Sequence, residues 1–279
     1  MTTPPTQPAI TGLIERPAHH AEPDRLRIMN WNVQHANPAR SRQQAGWIAG
    51  QPIDVAVLTE VSASHGATAL IQELTDYGFT VCCPTGPGSD YRVLIASRIG
   101  KLESCPQIQT THLPHRCVAT RLHLNHDDAT PQTVGIVGLY VPSRGNRERR
   151  NVDKRAFQNA VTRLIRRLPA LIGVNGPVLI TGDLNVVEPD HQPTLKVFGA
   201  WEYDFYRAFS AAGYTDAYRH LHPHQPDHSW YGRSGAGYRI DHAFCSSEHV
   251  VQSCEYDQRP RRNRLSDHAA MTLVLQWRY

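Results

Sequence analysis

Eight polar side chains stand where apolar runs of this chain end: Asn32, Glu60, Tyr140, Asp183, Asn185, Asp241, Asp267 and His268. Glu60 and Asp267 offer hard oxygen donors, suited to Mg²⁺ or Mn²⁺ and not to zinc, which prefers His and Cys. Asp183 can position and deprotonate a water. Asn185 lies two residues on, points the same way if the chain is extended, and can donate to a phosphate oxygen. His268 can protonate a leaving group or stabilise a phosphoryl oxygen, with Asp241 holding its imidazole. A divalent metal, a base, an oriented imidazole and amide donors together make a phosphoester hydrolase.

The elements that must position these groups are strands. Leu26–Asn32 and Asp54–Thr59 are apolar runs, and Arg40–Gly50 between them fits a helix. Ala63–Tyr77 reads as a second helix and Phe79–Cys83 as a strand. Val93–Ser97, Arg116–His123 and Thr133–Val141 follow as strands, and Pro177–Thr181 as a buried one. Val152–Ile172 is the longest helix expected, with Phe157, Val161, Leu164, Ile165 and Leu168 on one face and Arg155, Arg163, Arg166 and Arg167 on the other. Trp201–Ala212 is a helix ended by Gly213, and Arg239–Cys245, Val250–Tyr256 and Ala269–Gln276 close the chain as strands. Strands that follow one another without a helix between them point to a mixed-sheet α/β sandwich, not a pure parallel sheet. Polar residues at strand ends on one rim are where such folds gather their sites.

The chain has 279 residues, 40% hydrophobic and 19% charged, which permits a sizeable core and excludes wholesale disorder. No apolar run is long enough for a membrane helix, so no membrane partner is expected. Residues 1–24 are rich in Pro, Thr and His and read as a flexible tail, and residues 25–279 as one catalytic domain. The first residues lack a basic start and an apolar stretch, so they do not read as a secretory signal. The six cysteines form no C-x-x-C pair. A disulfide framework or a structural zinc is therefore not expected, and the protein is read as cytoplasmic. Net charge is +4, and all but three of the cationic side chains are arginine. Codon bias and phosphate recognition by guanidinium forks both account for that.

The order of motifs resembles the endonuclease/exonuclease/phosphatase superfamily, metal-dependent phosphoesterases with a four-layer α/β sandwich. The matching segments are MNWNV at Met29–Val33, LTEV at Leu58–Val61, LYVPSRG at Leu139–Gly145, TGDLNVV at Thr181–Val187, RIDHAF at Arg239–Phe244 and LSDHAAM at Leu265–Met271. YVPSRG, Phe209–Pro223 and His228–Asp241 are similar to the exonuclease III and apurinic/apyrimidinic endonuclease branch. The resemblance implies two packed mixed β-sheets flanked by helices, Mg²⁺ (or Mn²⁺) as cofactor, and duplex DNA, with or without an abasic site, as partner. It implies that Glu60 binds the metal with Asp267 near it, and that Asn32 contacts the metal or orients a carboxylate. Asp183 would activate the water, Asn185 bind phosphate, Asp241 orient His268, and Tyr140 contact the scissile phosphate or assist the leaving group. Three features depart from the branch. Ser143 stands where Asn or Gln is usual, His242 where Tyr or an apolar residue is usual, and the stretch Glu188–Trp201 is short.

The activity this implies is abasic-site cleavage, with 3′–5′ exonuclease or 3′-phosphatase action, by a protein acting as a monomer. The alternative is the same chemistry on a small-molecule phosphodiester, an RNA end or a protein–DNA adduct. A fold kept for binding alone would not need the complete acid, base and metal set. Ser143, Arg144, Arg239 and Trp230 are the expected substrate-side residues, Arg239 as wall or phosphate contact and Trp230 as a site wall. Arg144, Arg147, Arg149 and Arg150, and likewise Arg259, Arg261, Arg262 and Arg264, are read as contacts to a nucleic-acid backbone. His112, His115, His123, His126, His220, His222 and His224 are read as surface or loop residues.

Overall fold

The computed structural model describes residues 25–88, 90–124, 132–144, 148–174, 177–195, 197–232 and 235–277. The expected tail (1–24), His126 and Arg147 lie outside the described residues. The chain begins with β1 (Arg25–Asn32), α1 (Pro38–Ala49), β2 (Val55–Ser62), α2 (His65–Asp76), β3 (Thr80–Cys82), β4 (Tyr91–Ser97) and β5 (Lys101–Ser104). It continues through β6 (Cys117–Leu124), β7 (Gln132–Tyr140), α3 (Glu148–Ile165), α4 (Leu168–Ile172), β8 (Val178–Asp183), α5 (Ala200–Ala211), β9 (Thr215–Asp216) and α6 (Ala217–Leu221). It ends with β10 (Trp230–Tyr231), β11 (Gly237–Tyr238), β12 (Asp241–Cys245), β13 (His249–Asp257), α7 (Arg259–Arg262) and β14 (Ala270–Trp277).

Two six-stranded mixed sheets result, ordered β13-β14-β1-β2-β4-β3 and β5-β6-β7-β8-β12-β9. The expected α/β sandwich is thus the observed one. β1 and β2 run parallel, as do β7 and β8, so the ends of both pairs reach the same rim. The long helix expected over Val152–Ile172 is two helices, because Pro169 cannot continue α3 and instead starts α4. The short strand β5, the two-stranded ribbon β10–β11 and helix α7 were not expected, since each is too short to show a period.

Side chains alternate across a strand, and that alternation decides what meets what. Leu26 and Ile28 of β1, Val55 and Val57 of β2, Leu179 of β8 and Ala243 of β12 share the core between the sheets. Met29, Trp31, Ala56 and Leu58 face the other way, against Ala45 and Ile48 of α1 and Leu70 and Leu74 of α2. Val137, Leu139, Ile180 and Phe244 pack outward against Phe157 and Val161 of α3 and Phe205 and Phe209 of α5. The order helix, sheet, sheet, helix gives the four layers. The sheets pack tightly at Gly138, where a Cβ would lie 2.5 Å from Val93 Cγ1.

Candidate active site

Continuing the same parity to the strand ends places Asn32, Tyr140, Asp183 and Asp241 between the sheets, on one rim. The ladder puts Tyr140 and Asp241 on either side of Asp183, each directly opposite it. Gly182 makes this close pairing possible, since a Cβ there would sit 1.9 Å from the Leu139 carbonyl oxygen.

Glu60 does not follow the parity. Residue 60 is of the even set that faces α1 and α2, yet its carboxylate accepts a hydrogen bond from Tyr140 Oη at 2.8 Å across the sandwich. The pairing of β2 with β4 shifts register between Leu58 and Val61, and Glu60 sits in the left-handed region at φ 57°. This bulge re-aims Glu60 inward and turns Val61, of the otherwise inward odd set, to the outer face. His35 Nδ1 lies 3.4 Å from the other Glu60 oxygen.

Asp183 is held at both oxygens. Asn32 Nδ2 donates to Oδ2 at 2.9 Å, and the Asn185 backbone N–H donates to Oδ1 at 2.8 Å. Asn32 Oδ1 in turn accepts the Gln34 N–H at 2.9 Å. Asn185 is also left-handed, at φ 50°, and gives one amide N–H to the Val141 carbonyl at 2.9 Å. Its second N–H is the one left for a ligand.

His268 Nδ1 donates to Asp241 Oδ2 at 2.8 Å. Ser266 Oγ fixes the turn by donating to the Asn32 carbonyl (2.6 Å) and accepting the His268 N–H (3.1 Å). Trp31 Nε1 donates to the His268 carbonyl at 3.2 Å. Ser229 Oγ accepts the Asp241 N–H at 3.1 Å, and Tyr256 Oη donates to the Asp241 carbonyl at 2.6 Å. Trp230 Nε1 donates to Asp267 Oδ2 at 3.0 Å.

Burial and the neighbouring Asp241 push the Asp183 carboxyl up to about 8, with His268 opposing. Burial would lower His268, but Asp241 outweighs it and raises the imidazole to about 10. Burial, with Glu60 and Asp183 beside it, raises the Tyr140 phenol well above its ordinary value. The site therefore sets a carboxyl of raised proton affinity next to an imidazole that keeps its proton and can donate a hydrogen bond.

Glu60, Asp183, Asn185, Asp267 and His268 face one cavity of about 370 Å³, with Ser143, Arg144 and Trp230 on its walls. Among the described residues, one group brings three possible metal ligands within 4.8 Å of one another: Asp183, Asp241 and His268. Asp241 Oδ1 is buried with no hydrogen-bond partner. Glu60 and Asp267 add carboxylates to the same cavity. A donor set of carboxylates, an amide and one imidazole, without thiols, fits a hard divalent cation.

Arg239 is not in this cavity. It is fully buried, with Nε on Glu188 (2.8 Å) and Nη2 on Asp216 (2.9 Å) and Tyr206 (3.1 Å). The expectation of a substrate contact is corrected: every N–H of this guanidinium that faces an acceptor is consumed inside the fold. Its acidic partners lie 51 and 23 residues away in sequence, which is why spacing alone missed them. His115, expected at the surface or in a loop, lies in the short turn between β5 and β6, is buried and donates to Asp90 at 2.8 Å. Arg259 is tied to Asp257, and Arg261 stacks on Tyr231 at 4.0 Å, while Arg262 and Arg264 are exposed. Arg149 and Arg150 fall in the first turn of α3. Two further residues behind the cavity gave no signal in the sequence, Lys154 and Glu202, both fully buried.

No helix among the described residues is long and apolar enough to cross a membrane. No curated protein matches the chain by sequence. Among solved structures, a 3′ phosphatase from Neisseria bound to a product DNA hairpin is 21% identical with a TM-score of 0.70, covering 91% of this chain and 100% of that one. An AP endonuclease from Archaeoglobus fulgidus is 19% identical with a TM-score of 0.70, again over 91% and 100%. One from Leishmania major is 17% identical at TM-score 0.70, over 91% and 89%. At such identities these likenesses establish the fold. The model of the endonuclease/exonuclease/phosphatase family matches residues 29–268, from the strand that carries Asn32 to the imidazole of His268. The chain belongs to that family, and it is a hydrolase of phosphoesters.

Proposed function

We propose that the chain is a Mg²⁺- or Mn²⁺-dependent phosphodiesterase that acts on DNA, incising duplexes at abasic sites, with 3′–5′ exonuclease and 3′-phosphatase action as reactions of the same centre. The observation that carries this reading is Asp183, held at both oxygens by Asn32 and Asn185, beside an imidazole held by Asp241. Asp183 takes a proton from water as the water oxygen forms its bond to phosphorus and the ester oxygen leaves on the opposite side. Imidazolium His268 donates to a non-bridging phosphoryl oxygen, where charge develops, and the free N–H of Asn185 supplies a second donor. Glu60 and Asp267 would hold the cation, which when bound neutralises phosphate charge and acidifies a ligand water. Tyr140, which donates to Glu60, orients that carboxylate. The walls formed by Ser143, Arg144 and Trp230 are the substrate side. The DNA-processing relatives in the fold comparison support the choice of polymer.

The test is a labelled duplex with one synthetic abasic site beside the intact duplex, in Mg²⁺, in Mn²⁺ and with a chelator. Metal-dependent incision at the lesion alone is expected. Turnover of a generic phosphodiester with neither duplex cut would discard DNA as substrate while keeping the chemistry. Incision that survives the chelator would discard the metal.

A further inference from the structure

Behind the catalytic turn lies a charge pair that the chemistry above does not use. Lys154 of α3 and Glu202 of α5 are both fully buried, and Lys154 Nζ donates to Glu202 Oε1 at 2.5 Å. A buried ion pair is weak support for stability, because desolvation offsets most of its attraction. What distinguishes this pair is where its remaining hydrogen bonds go. Lys154 Nζ also donates to the carbonyl of Asn185 at 2.7 Å. Glu202 Oε2 accepts the Gly199 N–H at 2.8 Å and a hydrogen bond from Arg144 Nη1. The Lys154 ammonium further sits 5.5 Å from the centre of the Phe198 ring.

Asn185, Arg144 and Phe198 all line the cavity that holds Asp183 and His268. They come from three separate stretches: the turn after β8, the segment after β7 and the loop before α5. One buried ion pair therefore ties together three parts of the cavity wall. Asn185 needs such a tie most, since its left-handed backbone is what directs its N–H onto Asp183. Arg144 gains a direction from Glu202 that a half-exposed side chain on a loop would otherwise lack. The charge balance suits an anionic ligand as well. One carboxylate is shared by two cations, which leaves one net positive charge beside the cavity.

We propose that Lys154 and Glu202 are positioning residues for the reaction, setting Asn185 and Arg144 against the substrate phosphate; the proposal rests on the phosphoesterase reading of that cavity. Glu202 acts through Arg144, and Lys154 acts through Asn185 while pairing with Glu202.

A double-mutant cycle on the full chain tests it, with kcat and KM measured on the phosphodiester that the parent cleaves. Displacement of a catalytic group by about 1 Å can cost about 10²-fold, so Glu202→Gln is expected to lower kcat/KM by about 10- to 100-fold. Arg144→Ala should lower it comparably, yet add less than about threefold in the Glu202→Gln background, as groups in one network couple. Equal losses in both backgrounds, or a Glu202→Gln variant as active as the parent, would overturn the proposal. Lys154→Met/Glu202→Leu removes the pair without leaving a lone buried charge, so it is expected to fold with a Tm near the parent's and still lose kcat/KM. If it keeps both Tm and activity, the pair does not position anything. A parent that cleaves no phosphoester would instead sink the functional reading, and a signal independent of turnover covers that case. The Nη1–H resonance of Arg144, assigned by its absence from Arg144→Lys, should exchange slowly in the parent and be lost in Glu202→Gln. Its persistence would overturn the role of Glu202 whatever the substrate.

Discussion

Replacing Arg239 with Met removes a guanidinium that is fully buried and that donates to Glu188, Asp216 and Tyr206 at 2.8, 2.9 and 3.1 Å. The methionine fills much of the volume, so the cost is electrostatic. Asp216 is left buried without its main counter-charge, and Glu188 keeps only the guanidinium of Arg219 on its other oxygen. Breaking a buried pair from one side costs about 3–5 kcal/mol. The carboxylates give the same scale. Burial would raise Glu188, but Arg239, then His242 and Arg219, hold its carboxyl at about 2 instead of 4.5. That displacement corresponds to about 3 kcal/mol in favour of the folded state. Asp216 is likewise held well below the ordinary range, with Arg239 as the largest opposing influence to burial.

At about 2–4 °C per kcal/mol for a chain of this size, Arg239→Met should lower Tm by about 6–20 °C at pH 7. Both carboxyls titrate lower in the folded chain than in the unfolded one. Their stabilisation is therefore complete above about pH 4.5 and is lost as pH falls toward 2. The gap between parent and variant should accordingly narrow across that window in calorimetry. KM and kcat at a temperature where both are folded should agree within about twofold, because Arg239 does not reach the cavity. An unchanged Tm with KM raised tenfold or more would refute this reasoning and return Arg239 to the substrate side.

Three further outcomes are expected. Asp183→Asn should lower kcat by about 10²- to 10⁴-fold, as for loss of a general base, while raising Tm, because the native carboxylate is held in a site that disfavours its charge; activity assays and calorimetry read both. In Asp241→Asn the imidazole loses what holds it at about 10, so activity should fall as pH rises through the ordinary histidine range, whereas the parent keeps its imidazolium up to about 10; a pH–rate profile decides. Tyr140→Phe removes the one hydroxyl donated to Glu60 and should raise the Mg²⁺ concentration needed for half-maximal activity by about tenfold, the scale of a lost outer-sphere partner of a ligand, with little change in Tm.

Much of the site was legible because strands have period two. Once Leu26 and Ile28 are inward, Asn32 is inward too, and the same count from Leu179 to Asp183 and from Ala243 back to Asp241 brings three residues into one layer. The ladder then needs no further information to set Asp241 opposite Asp183. Glu60 was legible by type and not by orientation. Its inward turn depends on a bulge, and a bulge leaves no periodic trace. Arg239 failed for a different reason. An arginine two residues before a site aspartate invites a phosphate contact, and only the folded chain shows Glu188 and Asp216 converging on it. Lys154 carries no mark in the sequence, because its partner Glu202 belongs to another helix of the outer layer.

The two left-handed residues of the cavity wall, Glu60 and Asn185, explain why the site stands at this rim and how it stays there. Glu60 belongs to the first sheet and Asn185 follows a strand of the second, so each sheet gives the cavity wall one residue held away from the conformations an L-residue prefers. Asparagine tolerates that region and glutamate does so poorly, so at position 60 the carboxylate is retained at a cost of about 1–3 kcal/mol. The surroundings offset that cost locally. The Glu60 carbonyl accepts the His35 N–H at 3.1 Å, and Tyr140 from the opposite sheet donates to the side chain at 2.8 Å. At Asn185 the offset comes from Asp183, Val141 and Lys154 at 2.8, 2.9 and 2.7 Å. Two of these partners belong to β7 and the stretch after it, so β7 is the strand that braces both left-handed residues at once. That makes the rim of β7 the element on which the geometry of Glu60 and Asn185 depends. A residue at 140 must therefore serve packing, reach across the sandwich and donate a hydrogen bond. Tyrosine alone among the apolar-bodied side chains has both the length and the hydroxyl to do so.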